Sequence, residues 1–190
     1  MKKALIAIAI ASTFVSFGAS AMTKEEHKAG KDQIEATYKT DKKACDAMKD
    51  NAKDICVSEA KGKEKVAKAE LEAGYKPGAK ADMKVRDAKA DAAYDTAKEK
   101  CDDQTGNAKD VCVKDAKAAQ VAAKADAKVA KTASDAKMGD ASAAKVADER
   151  KDASKDKREA EYKAAKERCD SMAGAAKDTC QTDAKTKFNM

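Results

Sequence analysis

Past residue 22, the apolar positions of this chain are mostly alanine, and they recur at helical spacing. Val111, Ala118, Ala122, Ala125, Val129 and Ala136 lie three, four and seven apart, which puts them on one stripe of a helix. Alanine is the strongest helix former, with Lys, Glu and Arg close behind, and the chain has one proline. The pattern therefore predicts helix almost throughout.

Superposed on this pattern is a repeat. Tyr38-KTDKKA-Cys45-DAMKDNAKDI-Cys56-VSEAK, Tyr94-DTAKEK-Cys101-DDQTGNAKDV-Cys112-VKDAK and Tyr162-KAAKER-Cys169-DSMAGAAKDT-Cys180-QTDAK align without gaps. Each unit reads as a helical hairpin. Its first helix should stop near Asp50, Gly106 or Gly174, since glycine commonly follows a helix end. Asn51 and Asn107 would cap the second helix, with Ala175 a weaker cap in the third unit. Tyr and the first Cys are seven apart and share a face, so Tyr38, Tyr94 and Tyr162 are expected to pack over the hairpin seam. The second Cys is flanked at minus four and plus four by alanine: Ala52 and Ala60, Ala108 and Ala116, Ala176 and Ala184. A stripe of small residues lets two helix backbones approach as a disulfide requires. In an unbroken helix the two cysteines of a unit would stand about 16 Å apart, too far to bridge. Register, spacing and the turn residues favour Cys45–Cys56, Cys101–Cys112 and Cys169–Cys180 among the 15 pairings that six cysteines allow.

Further breaks are expected at Gly74-Tyr75-Lys76-Pro77-Gly78 and, less sharply, at Met138-Gly139-Asp140. The chain then divides into hairpins 22–76, 77–138 and 139–190. The expected fold is all-α: about six antiparallel helices running up and down, near 24–49, 52–73, 79–104, 108–137, 141–172 and 175–187. The disulfide turns gather at one end and the two other turns at the opposite end. The sequence leaves open whether the hairpins pack together or splay.

The N-terminus carries different information. Lys2 and Lys3 precede an apolar stretch, Ala4 to Phe17, and Ala19-Ser20-Ala21 offers small residues before a cut. This pattern predicts a signal peptide over 1–21, cleaved after Ala21, and a periplasmic or secreted protein. The stretch is shorter than the roughly 20 residues a membrane span needs, and no second apolar run follows, so no membrane insertion is expected after cleavage. An oxidising compartment would also permit the disulfides.

Composition makes those disulfides important. After Met22 the Ile, Leu, Val and Phe residues are Ile34, Ile55, Val57, Val66, Leu71, Val85, Val111, Val113, Val121, Val129, Val146 and Phe188. That is too few for a conventional core, and a fold without covalent help would be marginal. Each staple closes a short loop worth about 2–3 kcal/mol. Charge is balanced: 40 Lys and Arg face 34 Asp and Glu, and loss of Lys2 and Lys3 leaves 38 against 34. Bases and acids alternate, as in Lys89-Ala90-Asp91. A nucleic-acid binder segregates its positive charge, so no nucleic-acid partner is expected.

Candidate chemistry is sparse. The single histidine, His27, sits in the polar stretch TKEEHKAG and is expected to be exposed and inert. The only Gly-rich stretch, GYKPG, matches no phosphate-binding or dinucleotide fingerprint. Ten residues between cysteines and no partnering histidine fit poorly with zinc spacing, and Cys-x-x-Cys redox motifs do not occur. The expectation is no catalytic residue, no metal and no cofactor.

The signal MKKALIAIAIAS, the C-x10-C units and the Ala/Lys/Asp-rich helices together resemble a group of uncharacterised exported proteobacterial proteins. Its members are often labelled cell envelope biogenesis protein TolA. The likeness to TolA itself is one of composition, in segments such as AKAAQVAAKADAKVAKTASDAK, and implies no site residues. The same segment is similar to helical repeats of desiccation-protective hydrophilic proteins, from which the fixed cysteine units depart. The leading expectation is a non-enzymatic structural or interaction protein of the cell envelope, acting on an unidentified envelope or protein partner. The alternatives are a hydrophilic stress-protective protein and a metal- or redox-handling cysteine protein. Oligomeric state is unspecified by the sequence.

Overall fold

In a computed structural model, which describes residues 22–190, the chain is all-helical. The helices are α1 (Lys24–Ala44), α2 (Asp50–Tyr75), α3 (Ala79–Cys101), α4 (Gly106–Lys137), α5 (Ala143–Cys169) and α6 (Gly174–Phe188). The signal peptide expected over 1–21 lies outside the described residues. Helix α1 opens with a capping box. The Thr23 hydroxyl accepts from the Glu26 amide at 3.1 Å, and the Thr23 amide donates to the Glu26 carboxylate at 2.7 Å. Gly78 and Gly139 take positive φ in the two non-disulfide turns, at +151° and +84°.

The first helix of each hairpin ends three to five residues earlier than its pattern suggests. Chain reversal begins at the first cysteine, and the last carbonyls are met by tight turns. Met48, Gln104 and Met172 amides each donate to the carbonyl of the cysteine three residues before, all at 3.0 Å. After Ala44 this becomes a short 3-10 turn, Cys45–Ala47.

Among the described residues, each helix packs only against its neighbours in the chain. Six antiparallel helices thus form one open layer, with α1 and α6 as its edges. The hairpins do not splay. The α2–α3 and α4–α5 seams between hairpins are more extensive than the α1–α2 and α5–α6 seams within them.

A layer has no deep interior, and its buried side chains are small. They are chiefly Ala60, Ala79, Ala88, Ala90, Ala125, Ala127, Ala153, Ala164 and Ala184, with Phe188 the one large apolar member. Cys45, Cys101 and Cys169 are the largest side chains wholly out of solvent. Alanine faces bring backbones close. A Cβ on Gly62 would stand 2.9 Å from the Ala92 Cβ across the α2–α3 seam. Gly62→Ala should therefore push the seam apart and lower stability by about 1–2 kcal/mol, overpacking outweighing the helix-propensity gain. Urea unfolding checks this; an unchanged midpoint would show that the seam yields freely.

Ion pairs stitch the seams where apolar area is thin. Across α2–α3, Lys89 meets Glu70 at 2.7 Å and Lys100 meets Glu59 at 3.3 Å. Across α4–α5, Lys157 meets Asp126 at 2.5 Å, and Arg168 meets Asp115.

Candidate functional site: the stapled turns

The three disulfides pair as the register favoured: Cys45–Cys56, Cys101–Cys112 and Cys169–Cys180, with Cα separations of 5.6, 5.6 and 5.7 Å. No free cysteine is found among the described residues. The first cysteine of each pair is fully buried and the second half-buried. The turn needs a left-handed residue five past the first cysteine. Gly106 and Gly174 adopt φ of +57° and +56°, and Asp50 adopts +49°. An L-residue with a Cβ pays for that conformation, so Asp50→Gly should stabilise the first hairpin by about 1 kcal/mol. The expected readout is a rise of about 2–4 °C in the melting temperature; no rise would mean that the Asp50 side chain compensates locally.

Each turn also carries an ion pair built from the repeat itself. The Asp after the first cysteine meets the Lys of the Ala-Lys-Asp triplet: Asp46 with Lys53 at 2.9 Å, Asp102 with Lys109 at 3.0 Å, Asp170 with Lys177 at 2.8 Å. The hydrogen bond from Lys53 holds the Asp46 carboxyl below its ordinary range, and that from Lys177 does the same for Asp170. The pattern was visible as Cys-Asp and Ala-Lys-Asp in every unit, but only the turn geometry shows that the two motifs meet.

Several expectations change here. Asn51 and Asn107 do not cap their own helices, and α2, α4 and α6 start without a side-chain cap. Each asparagine instead reaches the following hairpin across the seam. Asn51 Nδ2 donates to the Glu99 carbonyl at 2.9 Å and to Asp103 Oδ1 at 2.7 Å; Asn107 Nδ2 donates to the Glu167 carbonyl at 2.9 Å. The alanine stripe is one-sided. Ala60 and Ala184 are buried and Ala116 half-buried, whereas Ala52, Ala108 and Ala176 are exposed at the turn, where the chain has only just re-entered the layer. Tyr38, Tyr94 and Tyr162 are all half-buried. Lys117 Nζ lies 5.1 Å from the Tyr94 ring centre, and Tyr162 meets Phe188 edge-on at 6.5 Å. Tyr38 lines a small groove with Ile34, Ala60 and Ala67.

His27 is buried rather than exposed. Its ring stacks on Tyr75 at 4.2 Å, and Nε2 lies 2.8 Å from Glu72 Oε1, which also takes Lys31 at 2.9 Å. The signal was there: the histidine sits one turn into α1, opposite the aromatic end of α2. With the partners it has, it ties the open end of the first hairpin.

A second polar cluster has no local mark in the sequence. Asp91 on α3 joins three helices. Oδ2 takes Lys65 of α2 at 2.8 Å; Oδ1 takes Lys124 at 2.5 Å and the Gln120 amide at 2.7 Å, both from α4. Gln120 is buried and in turn accepts from Lys117 at 2.8 Å. Burial pushes the Asp91 carboxyl up, but the hydrogen bonds from Lys124, Lys65 and Gln120 outweigh it and hold it down at about 2.

Among the described residues, no three His, Cys, Asp or Glu side chains gather as metal ligands would. The groove beside the first turn, about 300 Å³ between α2 and α3, is open and lined by both charge signs, including Asp54, Asp95, Lys61 and Lys98. Comparison with protein families, with curated proteins and with solved structures finds no match to this chain. Among the described residues, no helix is long and apolar enough to cross a membrane.

Proposed function

We propose that this is an exported, non-enzymatic scaffold of the bacterial cell envelope, a stapled helical plate that holds partners apart or together. The observation that carries the reading is the single open layer with all three disulfides at one end. Such a layer presents two broad charged faces. Its longest helix, α4, spans 32 residues or about 48 Å. Three disulfides suit an oxidising compartment, and the sequence likeness to exported proteobacterial C-x10-C proteins supports the same location. Mass spectrometry of the protein isolated from cells is expected to find Met22 at its N-terminus and three intact disulfides, in the periplasmic or secreted fraction. Crosslinking in intact cells should capture an envelope protein on the charged faces, and deletion should weaken the envelope. A cytoplasmic chain with free thiols, or neither partner nor phenotype, would sink the reading.

One observation favours a second reading, a hydrophilic stress-protective protein. The buried set is almost all alanine and cystine, so the chain exposes little sticky surface even when it loosens. Drying a labile enzyme with and without this protein separates the two; loss of enzyme activity regardless of its presence removes the second reading.

A further inference from the structure

Each hairpin meets the next through the same few positions, counted from its cysteines. Five before the second cysteine stand Asn51 and Asn107, which donate to the carbonyls of Glu99 and Glu167. One before it stand Ile55 and Val111, both half-buried. Three after it stand Glu59 and Asp115, which pair with Lys100 and Arg168. Those two bases each immediately precede the first cysteine of the following hairpin.

Among the described residues, the two edge helices of the layer depart from this pattern. On α6 the acid position is kept as Asp183, but the asparagine position holds Ala175 and the apolar position holds Thr179, both exposed. On α1 the base position holds Ala44, also exposed. Helix α6 is 15 residues long, against 26 for α2 and 32 for α4, so it offers less seam. By repeat symmetry, the α6 edge of one copy would otherwise receive the α1 edge of another. Such a head-to-tail contact closes into a ring or grows into a filament, according to the rotation it imposes. Repeat arrays avoid this with terminal units whose outer face differs from the internal seams; here Thr179 replaces an apolar contact, while Ala175 and Ala44 remove a donor and a base.

We propose that the Asn, apolar, acid and base positions form a docking code between hairpins, and that Ala175, Thr179 and Ala44 close the array to a second copy of the chain. The oxidised protein is then monomeric, and its partners meet its faces rather than its edges. Analytical ultracentrifugation is expected to show a monomer from about 1 μM to about 1 mM. Joint replacement Ala44→Arg, Ala175→Asn and Thr179→Val should tighten self-association at least about tenfold, with crosslinks running from α6 to α1. A wild-type oligomer crosslinked from α6 to α1 overturns the proposal, as does a folded, three-disulfide triple variant no more associated than wild type. Should the triple variant not fold, Asn51→Ala decides the matter. Hydrogen exchange at Asp102 and Asp103 should speed up at least about tenfold while the Cys45–Cys56 turn stays protected. Unchanged exchange at those two amides would refute the code.

Discussion

Reducing the three disulfides is expected to dissolve most of the helical layer. Each staple closes a loop of eleven to twelve residues and contributes about 3 kcal/mol by restricting the unfolded chain. Together that is about 8–9 kcal/mol, comparable to the whole stability of a typical domain. Little else replaces it, because among the described residues the buried set holds one large apolar side chain, Phe188, besides the cystines. Paired Cys→Ala replacement avoids burying a serine hydroxyl at Cys45, Cys101 or Cys169, which are fully enclosed. Loss should start at α6, the shortest helix, which has a single neighbour. Far-UV circular dichroism with and without a dithiol reductant, combined with hydrogen exchange, measures both effects. A reduced chain with unchanged helicity and unchanged urea midpoint would show that the alanine seams suffice alone.

Asp91 carries the second large effect. Asp91→Ala removes the acceptor shared by Lys65, Lys124 and Gln120, leaves the Gln120 amide buried without it, and leaves two neighbouring ammonium groups with no carboxylate between them. A loss of about 2 kcal/mol is expected, felt at the joint between the first and second hairpins. The same group makes the joint acid-sensitive. Its folded pKa, about 2, lies below the ordinary carboxyl value, so its stabilisation is complete above about pH 4 and is lost as pH falls toward 2. Solvent reaches both lysines, so the contribution is about 1–2 kcal/mol rather than the full value of the shift. Glu35, Glu72, Asp46 and Asp170 are depressed by their lysine partners and titrate in the same direction. Urea midpoints measured from pH 7 to pH 2 should fall for wild type and fall less for Asp91→Asn; parallel curves would assign the acid sensitivity elsewhere.

How much of this was legible beforehand depended on range. The hairpins, their disulfides and the turn positions Asp50, Gly106 and Gly174 follow from local signals repeated three times, each acting within a dozen residues. The seams between hairpins did not. The role of Asn51 depends on Glu99, 48 positions away, and only the side-by-side packing of α2 and α3 brings them together. Read locally, an asparagine after a turn is a helix cap. Asp91 was similarly hidden, because alternating Lys and Asp look alike on every face until one face is covered. In sequence His27 looks exposed because its neighbours are charged, while its partners Glu72 and Tyr75 arrive from the end of α2.

Packing confined to chain neighbours also governs how the molecule reaches its native state. Among the described residues no distant helix must be found, and the longest required search is from one helix to the next. Loop-closure entropy is correspondingly low, and a chain with such short-range order belongs among fast folders. Any of the three hairpins can nucleate first and recruit its neighbour, as in one-dimensional arrays. The slow event is then oxidation of the cysteines, which takes seconds to hours depending on the oxidant and isomerase available. Each cysteine lies eleven positions from its own partner, so the low cost of closing a short loop favours the correct connectivity even before the helices pair.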